Sequence, residues 1–156
     1  MIQRQEDAEK RVIPAYFGEY SLRLDECGGF LMPEKQRRVY SERHESYPQF
    51  KSSFFYLGVL NHTDQDGGFD FFELYDPLAS WEHFTNLENN PSLADVSLDN
   101  FNRFLIPVKI REDLWLESDI KLIGHGTGTL EIWNPQTYAS YLEEQSKKND
   151  AYKELF

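Results

Sequence analysis

One short segment combines an acidic and a basic residue in a pattern suited to holding a cation at the surface. Asp99 precedes Arg103 by four residues in the stretch LDNFNRFLIP, where Asp and Asn favour a turn because their side chains bond to nearby backbone. A carboxylate at one end of such a turn can hold a guanidinium at the other end. A held guanidinium offers a planar fork to a phosphate or to a guanine edge. We therefore predict that Asp99 orients Arg103 for contact with nucleic acid.

Further cations follow two prolines at a fixed spacing. The pattern P-x-K-x-R occurs twice, and its four cations are Lys35, Arg37, Lys109 and Arg111. Because proline favours the first position of a helix, these cations are expected on first helical turns, where backbone N–H groups also attract phosphate. Arg38 and Arg43 extend the first cluster, and we expect them to add phosphate contacts.

Each of these patterns also has an ordinary structural interpretation. The pair Asp99 and Arg103 could be a turn-closing ion pair, worth about 0–1 kcal/mol when exposed. The basic run over residues 35–43 could be one solvated face of a helix. Both interpretations stay open from the residues alone.

No other set of residues predicts an active site or a metal centre. Residues 64–75 resemble a calcium loop, but the twelfth position is Tyr75 where such a loop needs glutamate, which favours a hairpin tip. Residues 124–128 are glycine-rich but lack the Lys-Ser/Thr of a phosphate-binding loop. The four histidines show no metal-ligand spacing. We predict no enzyme activity, no cofactor and no bound metal.

Composition is that of a globular protein with an acidic surface. The 156 residues are 40% hydrophobic and 28% charged, which fits one domain or two small units around one core. The net charge of −11 would repel nucleic acid, so any such contact must come from a local basic patch. No apolar run approaches the ~18 residues of a membrane span, no secretory signal is visible, and the single cysteine fits a reducing compartment. We expect a soluble, cytoplasmic protein.

The chain contains an internal duplication. Residues 24–33 and 98–107 align at an offset of 74 with five identities, and the match continues through P-x-K-x-R. Residues 73–77 parallel residues 131–135 at an offset of 58. The difference of 16 is attributed to a longer stretch in the first copy, roughly residues 40–55. Two blocks in the same order indicate duplication.

Both copies predict the same order of elements: strand, turn, short buried strand, helix, hairpin and helix. A unit of ~70 residues would bury little apolar surface alone, so we expect the two to share one core. The predicted boundaries are 16–88 for the first unit and 89–145 for the second. A flexible extension over residues 1–15 and a helical tail over residues 146–156 flank them.

These elements and motifs resemble the MraZ family, bacterial regulators of the division and cell-wall gene cluster. The matching stretches are residues 18–20 leading to 24–25, residues 98–107 with Lys109 and Arg111, and residues 122–126 leading to 131–133. The resemblance spans about residues 16–145. It implies an α+β fold of two tandem swapped-hairpin AbrB-like units that form one pseudo-symmetric β-barrel core with peripheral helices. It also implies a ring-shaped homo-oligomer that binds short direct repeats in double-stranded promoter DNA through a D-x-x-x-R motif, in the cytoplasm at the nucleoid.

The first copy departs from the family pattern at the position that faces DNA. Asp25 is present, but Gly29 stands where the motif arginine belongs. The connector over residues 81–97 is also too short for the additional basic and aromatic helix of the family. Two hypotheses follow: a MraZ-like regulator, or an acidic oligomeric interaction protein of the same fold that has lost DNA binding. The residues assigned to DNA under the first hypothesis are Asp99, Arg103, Lys109, Arg111, Asp25, Lys35 and Arg37.

Overall fold

The computed structural model describes residues 13–46, 54–63, 68–83 and 93–154, and its elements follow the order that the duplicated motifs predict. The first copy contains β1 (Tyr16–Arg23), β2 (Gly29–Leu31), α1 (Glu34–Arg43), β3 (Phe55–His62), β4 (Asp70–Tyr75) and α2 (Pro77–His83). The second copy contains β5 (Leu93–Ser97), β6 (Arg103–Leu105), α3 (Val108–Asp113), β7 (Asp119–Thr127), β8 (Thr129–Trp133) and α4 (Pro135–Glu154).

Prolines stand at the start of the four helices in the described ranges, in two different ways. Pro33 and Pro107 lie one position before α1 and α3, with φ of −55° and −54°, so they are caps and not first helical residues as expected. Pro77 and Pro135 are the first residues of α2 and α4, where the missing N–H of proline costs nothing. The local sequence therefore fixes where each helix begins.

The two copies exchange strands within one antiparallel sheet. Its strand order is β1-β7-β8-β4-β3-β5. Strand β1 of the first copy pairs with β7 of the second, and β5 of the second pairs with β3 of the first. Read from one edge the order is β1, β7, β8, and read from the other edge it is their equivalents β5, β3, β4. The sheet therefore has an approximate two-fold axis between β8 and β4.

The strand register obeys the same symmetry. Glu73 lies opposite its own equivalent, Glu131, in the pair of β4 and β8. Strands β2 and β6 form a separate two-stranded ribbon, in which Phe30 lies opposite its equivalent Phe104. Self-equivalent pairs at both places are the geometric sign of a duplicated unit.

Strands β3 and β7 show where the first copy is longer. Tyr56 pairs with Val96 and Ile120 pairs with Leu22, so equivalent positions in β3 and β7 differ by 64. The offset between the copies falls from 74 before α1 to 64 in β3 and β7, so the first copy has ten extra residues between α1 and β3. The step from 64 to 58 places six in the hairpin between β3 and β4. The attribution of the whole difference to residues 40–55 is therefore wrong in part.

Side chains from both copies fill the main core, as expected for units too small to fold separately. Its largest fully buried members include Tyr16, Tyr40, Tyr56, Phe30, Phe72 and Phe104. Phe30 and Phe104 stack across the ribbon with ring centroids 5.4 Å apart. A second cluster packs α4 on the sheet, where Trp133 stacks on Phe71 at 4.8 Å and contacts Tyr138.

The structure confirms the mixed α and β class of the fold, with helices around an antiparallel sheet. The recorded strand order is open, with β1 and β5 at its edges among the described residues. No helix of the described ranges is long and apolar enough to cross a membrane. Residues 1–12, 47–53, 64–67, 84–92 and 155–156 are not described, so most of the predicted N-terminal extension, the tip of the calcium-like loop and much of the connector lie outside the described residues.

Candidate nucleic-acid interface

The ribbon of β2 and β6 presents one face to the core and the other to solvent, because side chains alternate along a strand. Phe30 and Phe104 point inward and are fully buried. On the outer face, Leu31 lies opposite Arg103, and Gly29 lies opposite Leu105. Leu31 and Leu105 are 59% and 55% exposed. The outer face of the ribbon, together with the two turns that precede β2 and β6, is called the ribbon face below.

An aspartate closes the turn before β6. The Oδ1 atom of Asp99 accepts hydrogen bonds from the backbone N–H groups of Phe101 at 2.8 Å and Arg103 at 3.0 Å. Asn102 has a φ of 61°, which asparagine tolerates better than most residues. The Asp-x-x-Asn pattern therefore folds locally into the turn that delivers Arg103 to the ribbon.

The turn before β2 repeats this geometry. The Oδ1 atom of Asp25 accepts from the N–H groups of Cys27 at 2.8 Å and Gly29 at 2.9 Å. Gly28, with a φ of 80°, occupies the place of the asparagine. Both copies thus build the same turn, in which Oδ1 of the aspartate accepts both backbone bonds.

Arg103 forms an ion pair with the aspartate of the other copy. Its Nη2 atom bonds to Oδ2 of Asp25. The predicted partner, Asp99, instead holds the backbone N–H of Arg103, so the expectation of an ion pair within one turn is wrong. The antiparallel ribbon explains the difference, because it brings each turn beside the end of the other copy's short strand. The side chain of Arg103 remains 45% exposed, and that of Asp25 30%.

Arg37 and Arg111 occupy equivalent positions at the base of the ribbon face. Each donates from Nε to the carbonyl oxygen before the helix-capping proline, Arg37 to Met32 at 3.2 Å and Arg111 to Ile106 at 3.1 Å. The guanidinium of Arg111 also covers Gly28, where an added Cβ would lie 2.4 Å from it. Both arginines are held in place and half-buried, with Nη atoms that remain able to donate.

Lys35 and Lys109 lie in the first turns of α1 and α3 and are exposed. They are equivalent at the offset of 74. The cations of the two P-x-K-x-R motifs therefore form two equivalent pairs on the helices that follow β2 and β6, whereas Arg103 has no equivalent cation in the first copy.

Comparison with known proteins agrees with this geometry. Residues 92–154 match the family model of the MraZ protein. Two curated proteins named transcriptional regulator MraZ, from two strains of Treponema pallidum of which one is strain Nichols, are each 29% identical to the chain over 147 residues. The alignments cover 83% of this chain and 86% of the relatives. Over most of its length the chain is therefore similar to MraZ proteins. The resemblance inferred from its motifs is thereby confirmed.

The match to the MraZ family model falls on one copy of the duplication. Residues 92–154 hold β5 to α4, including Asp99, Arg103, Lys109 and Arg111. The first copy, with Gly29 in place of the motif arginine, lies outside the match.

Arg43 is not available to phosphate, contrary to expectation. Its side chain is 6% exposed and donates from Nε to Oδ2 of Asp76 at 2.5 Å and from Nη2 to Oδ1 at 3.1 Å. Tyr16 donates to the same carboxylate at 2.7 Å, and its ring lies 5.5 Å from the guanidinium carbon. The basic run over residues 35–43 is therefore split between the surface and a buried ion pair.

A buried polar network, which the sequence did not predict, surrounds that ion pair. His44 bonds from Nδ1 to the Tyr40 carbonyl at 2.7 Å, so Nδ1 carries the proton and Nε2 accepts from the Leu78 N–H at 3.2 Å. Burial, with smaller contributions from Tyr56 and Asp76, raises the pKa of Tyr16 well above its ordinary value. The sequence feature that could have indicated this network is Asp76, which precedes Pro77. Its buried carboxylate also caps α2 by accepting from the Ala79 N–H at 2.9 Å.

Within the described residues, no group of three or more His, Cys, Asp or Glu side chains could hold a metal ion. His125, for example, contacts only one such group in the recorded bonds, Glu131 at 3.1 Å. The charged side chains of the ribbon face are the guanidinium of Arg103 and the carboxylates of Asp25 and Asp99.

Proposed function

We propose that the chain is a MraZ-like transcriptional regulator that binds double-stranded promoter DNA through its ribbon face. The observation that carries the proposal is Arg103, whose guanidinium is held by Asp25 yet remains 45% exposed. The regulator names of the two Treponema relatives support the same role. A regulator of this kind works in the cytoplasm in association with the nucleoid.

The ion pair with Asp25 prepares Arg103 for DNA. A guanidinium carries five N–H donors, and one bond to a carboxylate leaves the others for a phosphate or for O6 and N7 of guanine. Because the side chain is already ordered, less conformational entropy is lost on binding. Asp25 acts here as a positioning residue, and Asp99 positions the backbone of Arg103 through the turn.

The symmetric cations would provide phosphate contacts around this central arginine. Lys35 and Lys109 are exposed point charges, while Arg37 and Arg111 bond to backbone carbonyls through Nε and keep Nη donors for other acceptors. Phosphate contacts of this type set the register of a protein on DNA and provide much of its affinity. If these four cations face the same DNA as Arg103, they would offset the net charge of −11 locally.

We further propose that the exchanged strands form an AbrB-like swapped-hairpin core of barrel type, and that several copies assemble as a ring. One ribbon face per protomer binds weakly, because it offers a single motif arginine. A ring would present several faces to tandem promoter repeats, and the resulting effective concentration multiplies weak contacts into useful affinity.

A second candidate is an acidic oligomeric interaction protein of the same fold. Gly29 removes one motif arginine, and burial removes Arg43 from the surface. These two losses favour a chain that keeps the architecture without DNA. The two candidates differ in a low-salt titration: the regulator binds its own upstream DNA, whereas the interaction protein stays unbound although it remains oligomeric.

The test is fluorescence anisotropy with DNA from upstream of the chain's own gene, with and without its tandem repeats. Arg103→Ala should weaken binding by about 1–3 kcal/mol, roughly 5- to 150-fold. The matched control is Lys147→Ala on α4, which removes one equally positive, 74% exposed side chain away from the ribbon face. Equal affinity of Arg103→Ala and wild type would refute the proposed role of Arg103. Melting temperatures check that both variants are folded.

A further inference from the structure

Two equivalent leucines project from the ribbon face. Leu31 and Leu105 are separated by the offset of 74 between the copies, and both are more than half exposed. The neighbouring outward positions differ, because Gly29 of the first copy corresponds to Arg103 of the second. Both copies thus carry a leucine on the outer face, where it adds nothing to the buried core.

The guanidinium of Arg103 lies beside one of these leucines. Leu105 lies opposite Gly29 in the ribbon. A Cβ added at Gly29 would lie 3.1 Å from Oδ2 of Asp25, and Nη2 of Arg103 bonds to that oxygen. The guanidinium is therefore close to the pair of Gly29 and Leu105. Leu31 stands two residues along β2 from Gly29, roughly 7 Å away along the strand.

A surface hollow of about 440 Å³ joins apolar and charged groups at this place. Its lining includes Leu105 and Phe101, which is 77% exposed, together with Arg103. The carboxylates of Asp25 and Asp99 also line it. Two carboxylates beside one guanidinium give the hollow no excess of positive charge to attract phosphate. Neutral base edges, which offer acceptors to the guanidinium and methyl groups to the leucine, match it better.

We propose that Leu105 is a specificity-determining residue, which contacts the 5-methyl group of a thymine next to a guanine bound by Arg103. The inference rests on the proposed function and names the bases that the ribbon face prefers. The major groove admits a two-stranded ribbon and exposes both O6 and N7 of guanine and the methyl group of thymine. Base pairs are stacked about 3.4 Å apart, so neighbouring side chains reach neighbouring bases. The distance of roughly 7 Å to Leu31 corresponds to two base-pair steps, so Leu31 lies away from that thymine.

The test compares two forms of the DNA from upstream of the chain's own gene, one with thymine and one with deoxyuracil throughout. Deoxyuracil lacks only the 5-methyl group and keeps every hydrogen-bonding group of thymine. Fluorescence anisotropy at low salt measures the affinity of the full chain for each form. Wild type should bind the deoxyuracil form about fourfold more weakly for each methyl group contacted, because that is the value of one buried methyl group.

Three variants locate the contact. Leu105→Ala should bind the thymine form at least about fourfold more weakly than wild type does, and should bind both forms equally. Leu105→Met keeps an apolar side chain of similar volume and should keep the preference for thymine. The matched control is Leu31→Ala, which removes a leucine of similar exposure from the same face, 59% against 55%, and should leave the preference unchanged. Because both leucines are exposed, the melting temperatures should stay close to that of wild type.

The outcomes separate this inference from the regulator proposal. Equal affinity of wild type for the two forms of DNA would overturn the role of Leu105 and leave the regulator proposal standing. A preference for thymine that persists in Leu105→Ala, or that disappears in Leu31→Ala, would overturn that role in the same way. If wild type binds neither form, the regulator proposal fails and this inference fails with it.

Discussion

Replacing Asp76 by asparagine isolates the charge of the buried ion pair with Arg43. The side chains of Asp76 and Arg43 are 0% and 6% exposed. Asparagine retains an oxygen that can cap α2 at the Ala79 N–H, as Asn134 does for α4 through the Gln136 N–H. What it removes is the negative charge that balances the guanidinium.

The expected cost is large because a buried cation loses its partner. Removal of one member of a buried ion pair typically destabilises a protein by about 3–5 kcal/mol. With a urea dependence near 2 kcal/mol/M, the unfolding midpoint should fall by roughly 1.5–2.5 M. Asp76→Ala, which also removes the cap, should cost about 1 kcal/mol more.

Equilibrium urea unfolding measures the loss of stability in Asp76→Asn. The protein concentration is kept fixed, because any self-association makes the apparent stability depend on concentration. The control is Asn134→Ala, which deletes the equivalent cap and its bonds to the carbonyls of Leu114 and Trp115 but no charge. It should cost about 1–2 kcal/mol. If Asp76→Asn lost no more than this control, the buried charge pair would not hold α1 to α2 as described.

Three further predictions concern packing and pH. Gly58→Ala should destabilise the chain by about 1–3 kcal/mol in thermal melts, because its Cβ would lie 2.1 Å from the ring of Phe72; an unchanged melting temperature would contradict the close packing of β3 on β4. Phe104→Ala should cost about 3–5 kcal/mol and Phe101→Ala less than about 0.5, since only Phe104 is buried; similar losses by urea unfolding would refute the assigned faces. Burial raises the pKa of Tyr40 from 10.0 to about 12. The neutral hydroxyl therefore contributes its full stabilisation of the folded state below pH 10.0. This contribution is lost as the pH rises to about 12. Urea unfolding across that range should show a shallower decline for Tyr40→Phe than for wild type, and identical declines would count against the burial of that hydroxyl.

The duplicated elements could be predicted from the sequence because their signals are local. Turn residues, the prolines at the helix starts and short apolar runs each act within a few positions. They predicted both copies in the correct order and a shared core. Comparison of the copies also located Gly29 as the position where the first copy lacks the motif arginine.

The partners of individual charges could not be predicted, because they depend on which strands meet. Arg103 pairs with Asp25, which is 78 positions away, only because equivalent strands form the ribbon. Arg43 was expected at the surface with its neighbours, but the fold brings Asp76 to it from 33 positions away. Helical spacing alone does not distinguish a buried arginine with a counter-ion from an exposed one, since both have the same local sequence.

Under the proposed function, an acidic chain binds DNA through a few fixed cations. The most direct measurement is the wild-type affinity for its upstream DNA as a function of salt concentration. Each phosphate contact contributes about 0.9 to the slope of log affinity against log salt. If Lys35, Lys109, Arg37 and Arg111 contact phosphates, the slope should approach roughly −3 to −4 per bound ribbon face. No binding at the lowest salt, or binding that does not weaken as salt is added, would contradict the account.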